Sequence, residues 1–283
     1  MKVGIVSPVV TAVPGVVAPW EQQAGIAELG TIAEAADRLG FHHLTCSEHV
    51  AVPTDVAQQR GATYWDPLAT FGYLAARTTH IRLATQVLVL GYHHPLEIAK
   101  RYGTLDQVSN GRLVLGLGVG SLEAEFDLLD APFAGRGGRA DDALLALRAS
   151  LGVEAPAYAG THYQFKDVVV RPAAQQDRVP LWIGGSSLKS LQRAAALADG
   201  WVPFGLDLAG FRALLEKVDR PEGFEVVLPA HGLDPLAAPE RVSAKLDATV
   251  EAGATIVSVT LRAESASHYI EQLEALSATA GLR

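Results

Sequence analysis

The stretch Ile81-Arg-Leu-Ala-Thr-Gln-Val-Leu-Val-Leu-Gly-Tyr-His-His-Pro95, taken up again at Ser109-Asn-Gly-Arg-Leu-Val-Leu-Gly-Leu-Gly-Val-Gly120, decides how the rest of the chain is read. An apolar run over Ile81–Val87 gives way to a Gly-Tyr-His-His-Pro loop. A helical pattern over Pro95–Ser109 follows, then a second apolar run, Leu113–Leu117, and a glycine-rich loop. That is a βαβ unit. Runs apolar at nearly every position suit strands covered on both faces, as in a parallel sheet.

Outward from this unit the rhythm repeats. Val3–Val6, His43–Cys46, Pro180–Ile183, Gly200–Pro203, Glu225–Leu228 and Thr255–Val259 are further short apolar runs. Between them lie amphipathic stretches. Ala24–Leu39 carries Ile26, Leu29, Ile32, Ala33, Ala36 and Leu39 at helical spacing and stops at Gly40. Asp66–Thr78 opens with Pro67 at a first helical position. Gly138–Leu151, Ser187–Ala198, 206–219, Pro239–Ala252 and Ser265–Ala280 read likewise. Strands that each lead to a helix, eight times over, predict an α/β fold, a (β/α)8 TIM barrel, and 283 residues suit it. A doubly wound sheet is the rival and would use fewer strands or split into halves. Pro156–Pro172 breaks the rhythm; rich in Tyr, Thr, Phe and Val, with Gly160 at a turn, it predicts a β-hairpin inserted before strand five. The expectation is one domain over 1–283 with an insertion at about 152–176.

The net charge of -8 argues against nucleic acid as a partner, since phosphate backbones need a basic surface. One cysteine, Cys46, rules out an internal disulfide. No apolar run approaches the roughly 18 residues that span a bilayer. The Val-rich opening is broken by Pro8, Pro14 and Gly15 and reads as a first strand and loop rather than a signal peptide. A cytoplasmic protein without a membrane partner is expected.

In a barrel of this kind the loops after the strands carry the site. Glu48-His49, after strand two, is the acid/base candidate: imidazole titrates near neutrality, and an adjacent carboxylate orients it or raises its pKa. A satisfied polar pair in a capped loop is the plainer alternative. Gly184-Gly185-Ser186-Ser187 opens the helix bearing Lys189 and Arg193. Glycines let backbone N–H groups approach an anion, the helix start adds its dipole, and the serines add hydroxyls. A plain turn with a serine cap is the alternative. Gly116-Leu-Gly-Val-Gly120 resembles part of a dinucleotide fingerprint, but Ser121 stands where glycine is required, and it follows the fourth strand rather than the first. Its glycines are read as letting a flat ligand or the chain itself pass close to the mouth. His93-His94 and His42-His43 do not predict a metal site: adjacent histidines in an extended segment point opposite ways, and ligand spacing is absent. Trp20, Tyr64-Trp65, Tyr92, Phe126 and Trp201 could stack on a planar ligand; core packing is the default for each.

Taken together these residues resemble the bacterial-luciferase-like superfamily, in particular its coenzyme F420-dependent oxidoreductases. The matching pieces are Ala36-Asp-Arg-Leu-Gly-Phe41, Ser47-Glu-His-Val50, Trp65-Asp-Pro67, Thr85-Gln-Val-Leu-Val-Leu90, His94-Pro95, Asp106-Gln-Val-Ser-Asn-Gly-Arg112, Gly116–Gly120, Glu125-Phe126, and Pro180-Leu-Trp-Ile-Gly-Gly185 with Ala198-Asp-Gly-Trp201. They cover about residues 1–205 in the family's order. Asn110 and Leu90-Gly91-Tyr92 depart from it.

The resemblance implies F420, or alternatively FMN, at the carboxyl ends of the strands. It implies a non-prolyl cis peptide at Gln86–Val87 backing the cofactor ring, Glu48-His49 near the reactive face, and the cofactor phosphate at Gly184-Gly185. The expected catalytic residues are His49 and Glu48. The expected cofactor-binding residues are Ser7, Gln86, Val87, Gly118, Gly120, Gly184, Gly185, Ser186 and Ser187. The expected function is hydride transfer between F420 and a small organic substrate, with His49 moving the coupled proton and Glu48 tuning it. The alternatives are an FMN-dependent monooxygenase and a non-catalytic flavin-binding protein. A homodimer follows only from family habit.

Overall fold

The computed structural model describes residues 1–282. Eight parallel strands close into a barrel: β1 Lys2–Ile5, β2 His43–Cys46, β3 Arg82–Thr85, β4 Leu113–Gly118, β5 Leu181–Gly184, β6 Gly200–Val202, β7 Glu225–Leu233 and β8 Ile256–Leu261. Each pairs with its neighbours in sequence. Closure comes where β1 meets β8, with Val3 opposite Val257, and β4 pairs β5 with Leu115 opposite Leu181. The helices are α1 Ile26–Arg38, α2 Pro67–Ala75, α3 Pro95–Val108, α4 Arg136–Arg148, α5 Leu188–Leu197, α6 Leu208–Leu215, α7 Pro239–Glu251 and α8 Ala266–Ala280. The predicted barrel is the observed one.

Local chemistry starts the helices where the sequence places them. Asp66 accepts from the Ala69 N–H at 2.9 Å, and Pro67 occupies the first turn of α2. Ser187 and Ser190 cap α5 reciprocally. Asn110, where the family pattern has glycine, takes a left-handed φ of 56° that asparagine tolerates.

Two apolar layers hold the barrel. Leu44, Leu83, Leu115 and Ile183 meet the helix residues Leu29, Ile32, Phe71 and Leu74 outside it. Inside, Ala84, Val114, Trp182, Val202, Val227 and Ile256 form a second cluster. Trp182 plugs the amino-terminal end. Its indole N–H donates to Glu225, and the rings of His42 and His43 pack on it at 6.4 and 5.2 Å. The amino-terminal end of the barrel is thus filled by side chains.

The insertion holds the expected hairpin, reduced to Tyr158–Ala159 against Gln164–Phe165. Asp142 anchors it, accepting from the Tyr158 hydroxyl and from the N–H groups of Thr161, His162 and Tyr163. Three features escape the sequence pattern. Thr11–Ala12 pairs antiparallel with Thr63–Tyr64, a two-residue ribbon too short to alternate. Helix Thr54–Arg60 buries none of its residues, so it carries no apolar period. Helix Glu123–Leu128 is under two turns long. Among the described residues no helix is long and apolar enough to cross a membrane.

Candidate active site

The first two strand ends are latched to each other. The Ser7 N–H donates to Thr45 Oγ1 at 3.2 Å, and Ser7 Oγ accepts from the Thr45 N–H at 3.1 Å. Ser47 Oγ donates to the Gln86 carbonyl at 2.8 Å, tying the loop after β2 to the end of β3.

Beyond that link two carboxylate–histidine pairs cross. Glu48 is buried; one oxygen accepts from the Val89 N–H and the other lies 2.7 Å from His93 Nε2. Burial pulls His93 toward neutrality, but the hydrogen bond and charge of Glu48, with Glu97 behind it, outweigh that and leave its pKa raised. Glu125 is fully buried. One of its oxygens accepts from the N–H groups of Val50 and Ala51. The other accepts from the Tyr92 hydroxyl at 2.9 Å and lies 2.6 Å from His49 Nδ1. Burial, then the bond to Glu125, pushes the Tyr92 phenol pKa up, so it stays a donor. Tyr64, carried in on the short ribbon, meets the His49 ring edge to face at 4.4 Å.

This corrects the expected pairing. Glu48 makes no bond to His49; it holds His93, and Glu125 holds His49. Glu125 acts as acceptor to four donors, so His49 Nδ1 carries the hydrogen. Nε2 bonds to no described residue and is the nitrogen left for chemistry. In the sequence Tyr64 and Tyr92 are candidates only for stacking, His93 is weighed only as a metal ligand, and Glu125 has no assigned role. The one available signal was the placement of Glu125-Phe126 just past β4.

The Gln86–Val87 peptide is cis, as the resemblance implies. Val87 projects across the ends of β4 and β5, and the glycines there make room for it. A Cβ on Gly118 would lie 2.6 Å from Val87 Cγ2, one on Gly184 2.8 Å from Val87 Cγ1, and one on Gly116 1.9 Å from the Thr85 carbonyl oxygen. Gly120 has a φ of +79°, and a Cβ there would meet the Phe126 ring at 2.4 Å. Of the two readings of Gly116–Gly120, the close passage of the chain itself accounts for all three glycines. Phe126 and Trp201 are core residues.

A sequence profile of the luciferase-like monooxygenase family matches residues 1–231. The chain belongs to the luciferase-like monooxygenase family. It is accordingly an enzyme of an oxidoreductase family. It is 30% identical over 184 residues to an F420-dependent glucose-6-phosphate dehydrogenase of Microbacterium testaceum, covering 64% of this chain and 53% of that protein. Its fold matches the crystal structure of the monooxygenase RslO1 from Streptomyces bottropensis at a TM-score of 0.77, with 19% identity over 99% of this chain and 98% of that one. It matches the coenzyme F420-dependent tetrahydromethanopterin reductase from Methanopyrus kandleri at 0.74, with 14% identity over 99% and 100%.

Two features of this luciferase-like mouth suit a flat cofactor bearing amide-type donors and a phosphate. Gln86 Oε1 is buried and accepts no hydrogen bond, an acceptor in want of a donor. At the start of α5, Ser187 is consumed by the helix cap, and Arg193 is engaged by Asp141 and the Gly137 carbonyl. The Ser186 N–H and hydroxyl, by contrast, have no partner among the described residues. Gly184 serves Val87, and a Cβ on Gly185 would meet Ser190 at 2.9 Å. The predicted phosphate turn therefore keeps free donors at Ser186, with the Lys189 ammonium on the same helix start also unbonded among the described residues.

Proposed function

We propose that this enzyme is an F420-dependent oxidoreductase acting on a small organic substrate, with His49 as the residue that moves the coupled proton. The observation that carries the reading is the His49–Glu125 pair: a histidine at the mouth, its Nδ1 held by a buried carboxylate and its Nε2 unbonded. F420, when bound, supplies the two-electron hydride chemistry. Gln86 would accept a hydrogen bond from its ring system, Val87 would wall one side, and Ser186 would meet its phosphate. Tyr64 and Tyr92 hold the imidazole and its carboxylate in place, which limits the reorganisation a proton transfer would need. The names of the F420-dependent relative and structural neighbour favour F420 over FMN.

The test is a titration of the purified protein with F420 and FMN, each oxidised and reduced. Tighter binding of F420 is expected; preferential binding of FMN overturns the reading in favour of a flavin monooxygenase. With reduced or oxidised F420 bound, a panel of small ketones and alcohols should show turnover. His49→Ala should lower it by about 10²–10⁴-fold while leaving cofactor affinity in place. Ser186→Ala tests the phosphate assignment. Gly184→Val does not, because its side chain would strike Val87 first.

A further inference from the structure

Beside the mouth, on the outer side of the Glu48–His93 pair, lies a cleft of about 360 Å³ between the loop after β2, the start of α2 and α3. That volume lies within the range of small-molecule sites. We propose that it binds a small organic ammonium compound. The inference goes beyond the cofactor reading and does not depend on it.

Charge is the first argument. Glu48, Asp66 and Glu97 line the cleft with Arg101 and His93. Arg101 is bound to Glu97 at 2.7 Å, so these two offset each other. His93 faces Glu48. Asp66 caps α2 through Oδ1 alone, and its other oxygen has no partner among the described residues. The cleft therefore holds carboxylate charge in excess of its cations.

An independent feature points to a ligand. Tyr102 lines the same cleft, is only 4% exposed, and makes no hydrogen bond to any described residue. Its hydroxyl oxygen, unlike that of Tyr269, is not sealed off, so a ligand in the cleft can supply the partner that the protein does not. Burial, then the charges of Glu48 and Asp66, pushes its pKa up, so it is a neutral hydroxyl.

Chemistry selects the class. Among the described residues no three His, Cys, Asp or Glu side chains are arranged to hold a metal ion. The walls instead include the aromatic rings of Tyr92 and Tyr102 and the aliphatic Leu68 and Leu129. Carboxylate, aromatic face and aliphatic wall together suit an ammonium head on a short apolar body.

The test is calorimetric titration with n-butylammonium chloride and with neutral 1-butanol, at constant ionic strength set by KCl. The ammonium should bind saturably and at least tenfold more tightly than the alcohol. Asp66→Asn keeps a helix-capping side chain and should weaken ammonium binding by about tenfold, with folding checked by circular dichroism. Tyr102→Phe should weaken it about threefold. Equal binding of the alcohol, absence of saturable ammonium binding, competition by potassium on equal terms, or an unchanged affinity in Asp66→Asn each overturns the proposal.

Discussion

His49 Nδ1 and Glu125 Oε2 stand 2.6 Å apart although 76 residues separate them in the chain. The contact exists because the loops after β2 and β4 meet over the barrel mouth. Glu125→Gln places an amide where four donors converge, so at least one of them loses its acceptor. The variant should lose about 1–3 kcal/mol in urea unfolding. Turnover should fall by about 10²-fold or more through loss of the imidazole's set tautomer, as wrong-tautomer variants of other histidine–carboxylate pairs do. The His49 Nδ1–H signal in the proton NMR spectrum should vanish. Its persistence would remove Glu125 from the role assigned to it.

Glu48→Gln separates the two carboxylate–histidine pairs. Glu48 accepts from the Val89 N–H and meets His93. Stability should drop by about 1–3 kcal/mol, while the His49 Nδ1–H resonance stays where it is in the wild type. A change at His49 of the size produced by Glu125→Gln would restore the pairing that the order of residues suggests.

Gly118→Ala puts a methyl group 2.6 Å from Val87 Cγ2. Overpacking of this kind costs about 1–3 kcal/mol. Val87→Ala in the same chain should return part of that loss, giving a coupling of at least about 0.5 kcal/mol in a double-mutant cycle. Additive effects would mean that the glycine serves something other than Val87.

The barrel floor makes the fold acid-sensitive. Burial, then the charges of Lys2 and Arg82, holds His42 down to about 4; burial, then His42 and Arg82, holds His43 well below its usual value. Both are kept neutral in the native state, whereas the unfolded chain takes up protons below about pH 6.5. Their contribution is therefore complete above that pH and is lost as pH falls toward 4. Each histidine adds a slope approaching about 1.4 kcal/mol per pH unit. His93, with a raised pKa, acts in the opposite sense and contributes below the unfolded value. Urea midpoints between pH 7.5 and 4.5 should fall steeply, and His42→Asn should flatten the curve by about one proton's worth. An unchanged slope in that variant would place the acid sensitivity elsewhere.

Cys46 is buried at the end of β2, and burial pushes its thiol pKa up to about 12. Only the thiolate reacts readily. The native protein should resist iodoacetamide at pH 8, and alkylation should appear only as urea unfolds the chain. Rapid labelling of the native state, followed by mass spectrometry, would contradict the buried placement.

The strand and helix rhythm was open to reading because it rests on local chemistry. Apolar runs, first-turn prolines and capping serines act within a few residues of one another. Closure of the barrel follows from that rhythm, and so does the face on which Ser7, Glu48, His49, Gln86, Gly120 and Gly184 gather. The short elements Thr11–Ala12, Thr54–Arg60 and Thr63–Tyr64 left no such trace. Each is too brief or too exposed for a hydrophobic period.

By itself, then, the sequence determined an eight-stranded barrel, the family and the loops that gather at the barrel mouth. Tertiary structure alone decided the partners within those loops. Neighbouring side chains outside a helix diverge, which separates His93 from His94 and equally sends Glu48 and His49 to different partners. Glu48 finds its imidazole 45 residues away and His49 its carboxylate 76 residues away. The glycines that end β4 and β5 look like ligand cradles in one dimension. Packing shows that Gly118 and Gly184 are there for Val87, because a steric vacancy is defined by what fills it, and that neighbour arrives from another strand.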